Sequence, residues 1–128
     1  MTPWIIAVLV LFFVQTVLPS AARAASGEAA QLRYLRGNRD KRPEPTVMAA
    51  RMERALRNMF EALPAFLALA LLAEIKGVTG GLALTGAMVF FAARVAYVPA
   101  YGSGIVLLRS GVWSIGLIGL IMMLIGVL

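Results

Sequence analysis

Apolar residues fill four stretches of the chain, at about 3–22, 47–76, 82–98 and 105–128, with polar residues gathered between them. Each stretch has at least the roughly 17 residues that a membrane-crossing helix needs. Trp4 sits near the start of the first stretch as an interface anchor, and Pro19 is placed to bend its end. A cleaved signal peptide is the competing reading of this segment: 5–17 would be its apolar region and Ala22-Arg23-Ala24 its small-residue site. No Lys or Arg precedes the apolar run, which favours a retained span.

Residues 23–46 break the apolar pattern. Gln31 to Arg36 reads as a helical extension, and Gly37, Asn38, Asp40, Pro43 and Pro45 read as a loop. Thr46 follows Pro45 and is a candidate N-cap for a helix over 47–76, which is long enough to span and protrude. Gly77, Gly80 and Gly81 predict the next turn, and Gly102, Ser103 and Gly104 the one after it. Residues 111–128 carry no charge. Four spans with short connections predict an all-α fold, a single integral membrane four-helix bundle over 1–128.

Composition agrees with this. Of 128 residues, 61% are hydrophobic, too many for an ordinary soluble domain. The net charge is +6, from 12 basic and 6 acidic residues. Nine of those basic residues lie in 23–57; in an up-down bundle Arg94 and Arg109 fall on the same side, and Lys76 on the other. Charge placed beside apolar spans is a topology signal and a site for anions, not a nucleic-acid surface. The positive-inside rule puts the 23–46 loop in the cytoplasm and both termini outside. There is no Cys and no His. That excludes disulfides, thiolate nucleophiles, Cys/His zinc sites and any Ser-His-Asp triad.

The polar residues inside the second span carry the candidate chemistry. Arg54, Arg57, Asn58 and Glu61 run directly into the apolar stretch 62–73. Ionised groups at membrane depth are costly and by default face protein or water. At about 100° per residue, Arg51, Arg54, Asn58 and Glu61 share one helix face, with Arg57 at its edge. Arg94, Tyr97 and Tyr101 share a face of the third span. Arg109, Ser110 and Trp113 cluster on the fourth, and all three groups are expected at one membrane depth. Such a pocket suits a small zwitterion with more than one carboxylate. Arginines would fork the carboxylates, Glu61 would take an ammonium, and Tyr97, Tyr101 or Ser110 would donate to a thiol or thiolate that Arg109 holds by charge. The structural alternatives are an Arg57–Glu61 ion pair, headgroup binding by Arg51, Arg54 and Arg57, and an aromatic belt of Tyr97, Tyr101 and Trp113. Gly111, Gly116, Gly119 and Gly126 read as helix-packing positions.

The same residues resemble the MAPEG family, the membrane-associated proteins in eicosanoid and glutathione metabolism. The run Arg51-Met-Glu-Arg54-Ala-Leu-Arg57-Asn58-Met-Phe-Glu61-Ala-Leu-Pro64 is similar to the family's Arg-Ala-x-x-Asn-x-x-Glu-x-x-Pro pattern. Ala93-Arg94-Val-Ala-Tyr97, Pro99-Ala-Tyr101 and Arg109-Ser110-x-x-Trp113 match in order and spacing, apart from about one residue between Tyr101 and Arg109. The resemblance covers the whole chain. It implies a homotrimer with glutathione, as co-substrate, between neighbouring subunits near the cytoplasmic side. Arg54, Asn58 and Glu61 would bind it with Arg57 assisting, and Arg94, Tyr97 and Tyr101 would contribute from the third helix. Arg109 would stabilise the thiolate with Ser110 nearby. The expected activity is that of a glutathione transferase-like protein acting on a lipophilic electrophile that enters from the lipid. Ala62 and Trp113 depart from the tyrosines of the leukotriene- and prostaglandin-synthesising members, which removes support for eicosanoid specificity. The short chain resembles a bacterial member, expected in the inner membrane. The alternative from another class is a non-catalytic membrane protein that binds an anionic lipid or a partner protein.

Overall fold

The computed structural model describes residues 1–78 and 80–128. In chain order it has α1 (Thr2–Ala25), α2 (Ala29–Arg36), α3 (Val47–Ile75), α4 (Gly81–Ser103) and α5 (Val106–Val127), with no strand among the described residues. The four long helices are each long and apolar enough to cross a membrane, which fits an integral membrane protein.

The local causes are visible in the side chains. Thr46 caps α3, its Oγ1 accepting from the Ala49 N–H at 3.2 Å. The expected helical extension over 31–36 is a separate helix: the chain breaks after Ala25, Gly27 takes a left-handed φ of 69°, and α2 restarts at Ala29. Helix α4 runs past the expected end at 98, through Pro99, to Ser103. Pro19 and Pro64 likewise sit inside continuous helices. A proline costs a helix one backbone hydrogen bond, and helices packed in lipid tolerate this where neighbours support the chain.

The core lies where four helices meet. Val8 comes from α1, Met59, Leu63, Phe66 and Ala70 from α3, Ala87 and Phe90 from α4, and Met123 from α5. The Phe66 and Phe90 rings stack 4.8 Å apart. Between α4 and α5 the backbones touch. A Cβ on Gly86 would lie 2.6 Å from the Gly119 carbonyl oxygen, and one on Gly119 would lie 2.7 Å from the Phe90 nitrogen. A Cβ on Gly126 would run into the Ala83 backbone. Small residues at such contacts let helices approach closely where no hydrophobic force separates protein from lipid. Gly119 and Gly126 are therefore packing positions; Gly111 has open space around it.

The two ends of the bundle are tied differently. At one end Glu74 of α3 accepts from the Thr2 backbone N–H and hydroxyl, and Lys76 donates to the Val127 carbonyl. At the other, buried Arg23 of α1 donates to Gln31 of α2 at 2.5 Å and to Glu53 of α3 at 3.0 Å. Glu53 also pairs with Arg42, and Gln31 donates to the Glu44 carbonyl at 2.6 Å. The connection between α1 and α3 is thus fixed to both helices.

Candidate functional site

Helices α3, α4 and α5 bring most of the expected residues to one flank, in two clefts at different levels. The first is lined by Arg51 and Arg54 of α3, Tyr101 of α4 and Arg109 of α5, with Gly104, and encloses about 180 Å³. The second is lined by Asn58 and Glu61 of α3, Arg94 of α4, and Trp113, Leu117 and Leu120 of α5, and encloses about 200 Å³. Arg54 and Asn58 are one turn apart on one face of α3, so the clefts follow each other along that helix by about 6 Å. Within the single polar region expected from the sequence, the groups are thus divided between two levels one helical turn apart.

In the first cleft the Tyr101 ring has two guanidinium neighbours. Arg54 lies 5.7 Å and Arg109 5.3 Å from its centroid. Two cations this close repel unless an electron-rich face or an anion lies between them, and the phenol supplies the first of these. Arg51 donates to the Gly102 carbonyl at 2.7 Å, holding the turn that joins Tyr101 to Arg109. That turn depends on Gly104, whose φ of 75° is left-handed. A Cβ there would sit 2.5 Å from an Arg51 guanidinium nitrogen.

In the second cleft Arg94 is 3% exposed, and its Nη1 donates to Asn58 Oδ1 at 2.5 Å. Its guanidinium lies 5.0 Å from the Phe90 centroid and 5.5 Å from that of Tyr97. Gly116 leaves room for it on the α5 side, where a Cβ would meet Arg94 Nε at 3.6 Å. Arg94 Nε is buried with no hydrogen-bond partner among the described residues. A buried cation held by one amide, with a spare donor, is an incomplete constellation that an anion would complete. Glu61 lines the cleft, exposed and without an ion pair among the described residues.

The remaining candidates fall around these clefts. Tyr97 is buried, edge-on to Tyr101 at 5.5 Å, and links the two levels without lining either cleft. Arg57 and Ser110 are exposed and line neither. The Arg57–Glu61 ion pair offered as a structural alternative does not form. Trp113, grouped from sequence with Arg109 and Ser110 and with an aromatic belt as its alternative, lines the second cleft, and Arg51 acts on the turn after α4. Trp113 is one helical turn beyond Arg109, and that spacing was the available signal. No group of three or more His, Cys, Asp or Glu able to hold a metal occurs among the described residues.

Both clefts are built from the paired runs of α3 and α4–α5, and comparison with known proteins points the same way. No curated protein and no solved structure matches the chain. A family model does, over residues 1–128, and its family includes glutathione transferases and related membrane proteins whose members generally use glutathione. Four membrane-length helices, an arginine-rich flank on the second to fourth of them, and a match over the full length lead to one assignment: the chain belongs to the MAPEG family.

Proposed function

We propose that this chain binds glutathione along the two clefts and uses its thiol to conjugate or reduce a lipophilic electrophile. The observation that carries the reading is the convergence of Arg54, Asn58, Glu61, Arg94, Tyr101 and Arg109, from three helices, on one flank. Glutathione has two carboxylates, one ammonium and one thiol. The staggered clefts offer arginines at both levels for the carboxylates, and Glu61 for the ammonium.

Bound glutathione would supply the nucleophilic sulfur. Arg109 favours the thiolate by charge, and the Tyr101 hydroxyl is available as a donor beside it. The thiol proton leaves to water through the open side of the cleft. The apolar residues Leu117 and Leu120 of the second cleft admit an electrophile from the lipid. Tyr97 and Arg57 act by supporting the ligand-binding groups, and Ser110 stands next to Arg109 on α5.

The clefts of a single chain are small and open. Volumes of about 180 and 200 Å³ fall below the roughly 300 Å³ at which small-molecule sites begin. Glu61 is exposed on a helix otherwise bound for lipid, where an ionised side chain costs a few kcal/mol unless protein covers it. Both points support completion of the site by a neighbouring copy, in a homotrimer. The basic 23–46 loop supports an inner-membrane orientation with that loop cytoplasmic and both termini outside.

The test is calorimetric binding of glutathione to detergent-purified protein, wild type beside Arg54→Ala and Glu61→Ala. The expected result is micromolar-to-millimolar binding, weakened at least roughly tenfold in either variant, since a charge-assisted hydrogen bond contributes about 1.5–3 kcal/mol. Absence of binding by folded wild type would sink the reading and leave a lipid- or partner-binding protein.

A further inference from the structure

The connection between α1 and α3 holds a second basic cavity, separate from both clefts. It encloses about 530 Å³, within the range of small-molecule sites. Arg33, Arg39 and Lys41 stand on its rim, and Ala30, Tyr34 and Pro43 form apolar parts of its lining. Asp40 is the one carboxylate that lines it. Arg42 also lines it, but that side chain is already paired with Glu53, which it shares with Arg23. Arg33, Arg39 and Lys41 make no ion pair among the described residues, so three cations face one acid. A second cleft of about 510 Å³ shares Arg33 and Gly37 and continues along α2 past Leu32.

The cavity is held in shape by the protein. Buried Arg23 bonds Gln31, Gln31 bonds the Glu44 backbone, and Glu53 grips Arg23 and Arg42 together. The Tyr34 ring lies 5.1 Å from the Arg23 guanidinium carbon and 5.9 Å from that of Arg39. Arg39 has a left-handed φ of 64° and is alone in this among the described non-glycine residues. That conformation is strained for an arginine, and such strain concentrates at ligand clamps. None of these groups belongs to the glutathione flank.

We propose that this cavity docks an anionic phospholipid of the surrounding bilayer, its phosphate held by Arg33, Arg39 and Lys41 and its glycerol end against Ala30, Tyr34 and Pro43. The location favours a lipid over a soluble phosphate. The cavity lies between the ends of two membrane helices, where clusters of basic residues meet headgroups. Its lining is part apolar, and inorganic phosphate has no use for apolar walls.

The test uses the full chain in neutral detergent with dye-labelled phosphatidylglycerol or phosphatidylcholine. Wild type should bind the anionic lipid at least roughly tenfold more tightly, and less so as salt rises. Arg33→Gln combined with Arg39→Asn should reduce phosphatidylglycerol to the phosphatidylcholine level, asparagine being chosen because it accepts a left-handed φ. Arg33→Lys with Arg39→Lys should keep the preference, and Arg54→Ala should leave it unchanged. Undiminished binding in the neutral pair, an equal loss in the lysine pair, or a loss in Arg54→Ala would each overturn the assignment. Displacement of the lipid by an equal concentration of inorganic phosphate would overturn it in favour of a soluble anion.

Discussion

Arg54 and Arg109 approach one phenol ring, Tyr101, from two different helices. Their tasks separate by what each has left to do. Arg54 lies on the same face of α3 as Asn58 and Arg109 sits where α5 begins; on the proposed function the first grips a carboxylate and the second holds developing negative charge on sulfur. Arg109→Ala is therefore expected to lower turnover of a chlorodinitrobenzene probe roughly 10²–10³-fold, the cost of removing one preorganised charge-stabilising donor. The glutathione dissociation constant should move less than about threefold. Steady-state kinetics beside calorimetry read the two quantities, and parallel losses would count against this division. The residue types in this cluster were legible in the sequence because charge in an apolar span stands out. Their partners were not. Arg94 is 36 residues from Asn58, and only the packing of α4 on α3 brings them to 2.5 Å.

At the level of the helices, the α4–α5 contact is the tightest in the fold, backbone against backbone at Gly86 and Gly119. A side chain at Gly119 meets main-chain atoms, which cannot rotate away. Gly119→Val is expected to destabilise by about 1–3 kcal/mol, the usual cost of overpacking. Gly111→Val, with open space around it, should stay within about 0.5 kcal/mol of wild type. Thermal unfolding in one detergent compares them, and equal losses would remove the packing explanation. Because α4 and α5 carry Arg94, Tyr101 and Arg109, the Gly119 variant should also lose activity through displaced geometry. The helices themselves were readable from hydropathy and turn residues. The ends were less so: α4 continues through Pro99 because the packed helix, and not the local proline signal, decides where it stops.

For the whole molecule, the open flank is the feature that needs an explanation. It consists of two small clefts and an exposed Glu61, which the proposed function reads as part of a site shared between copies. If neighbouring copies close it, the detergent-solubilised protein should weigh three times the chain mass by light scattering after subtraction of the detergent. A Glu61→Ala variant should keep that mass while losing glutathione. A monomer that binds glutathione at full affinity would refute the shared site. The loop end adds an independent function in the lipid cavity, bound to the same scaffold through Arg23 and Glu53.

The sequence by itself determined the helical class, the four apolar spans, the cap at Thr46 and the family. Each follows from local patterns: hydropathy over about 20 residues, turn chemistry, and spaced polar motifs. It also placed Arg51, Arg54, Asn58 and Glu61 on one face, since helical periodicity is a local property. Only the tertiary structure decided that the polar residues split into two levels, that Trp113 lines a cleft and Tyr97 does not, and that Arg23 is a buried hub. Those outcomes depend on how far one helix slides and turns against another. That is set by small-residue contacts such as Gly86 against Gly119: the glycines of α5 were legible as packing positions, but not which atoms of a segment 33 residues away they would meet.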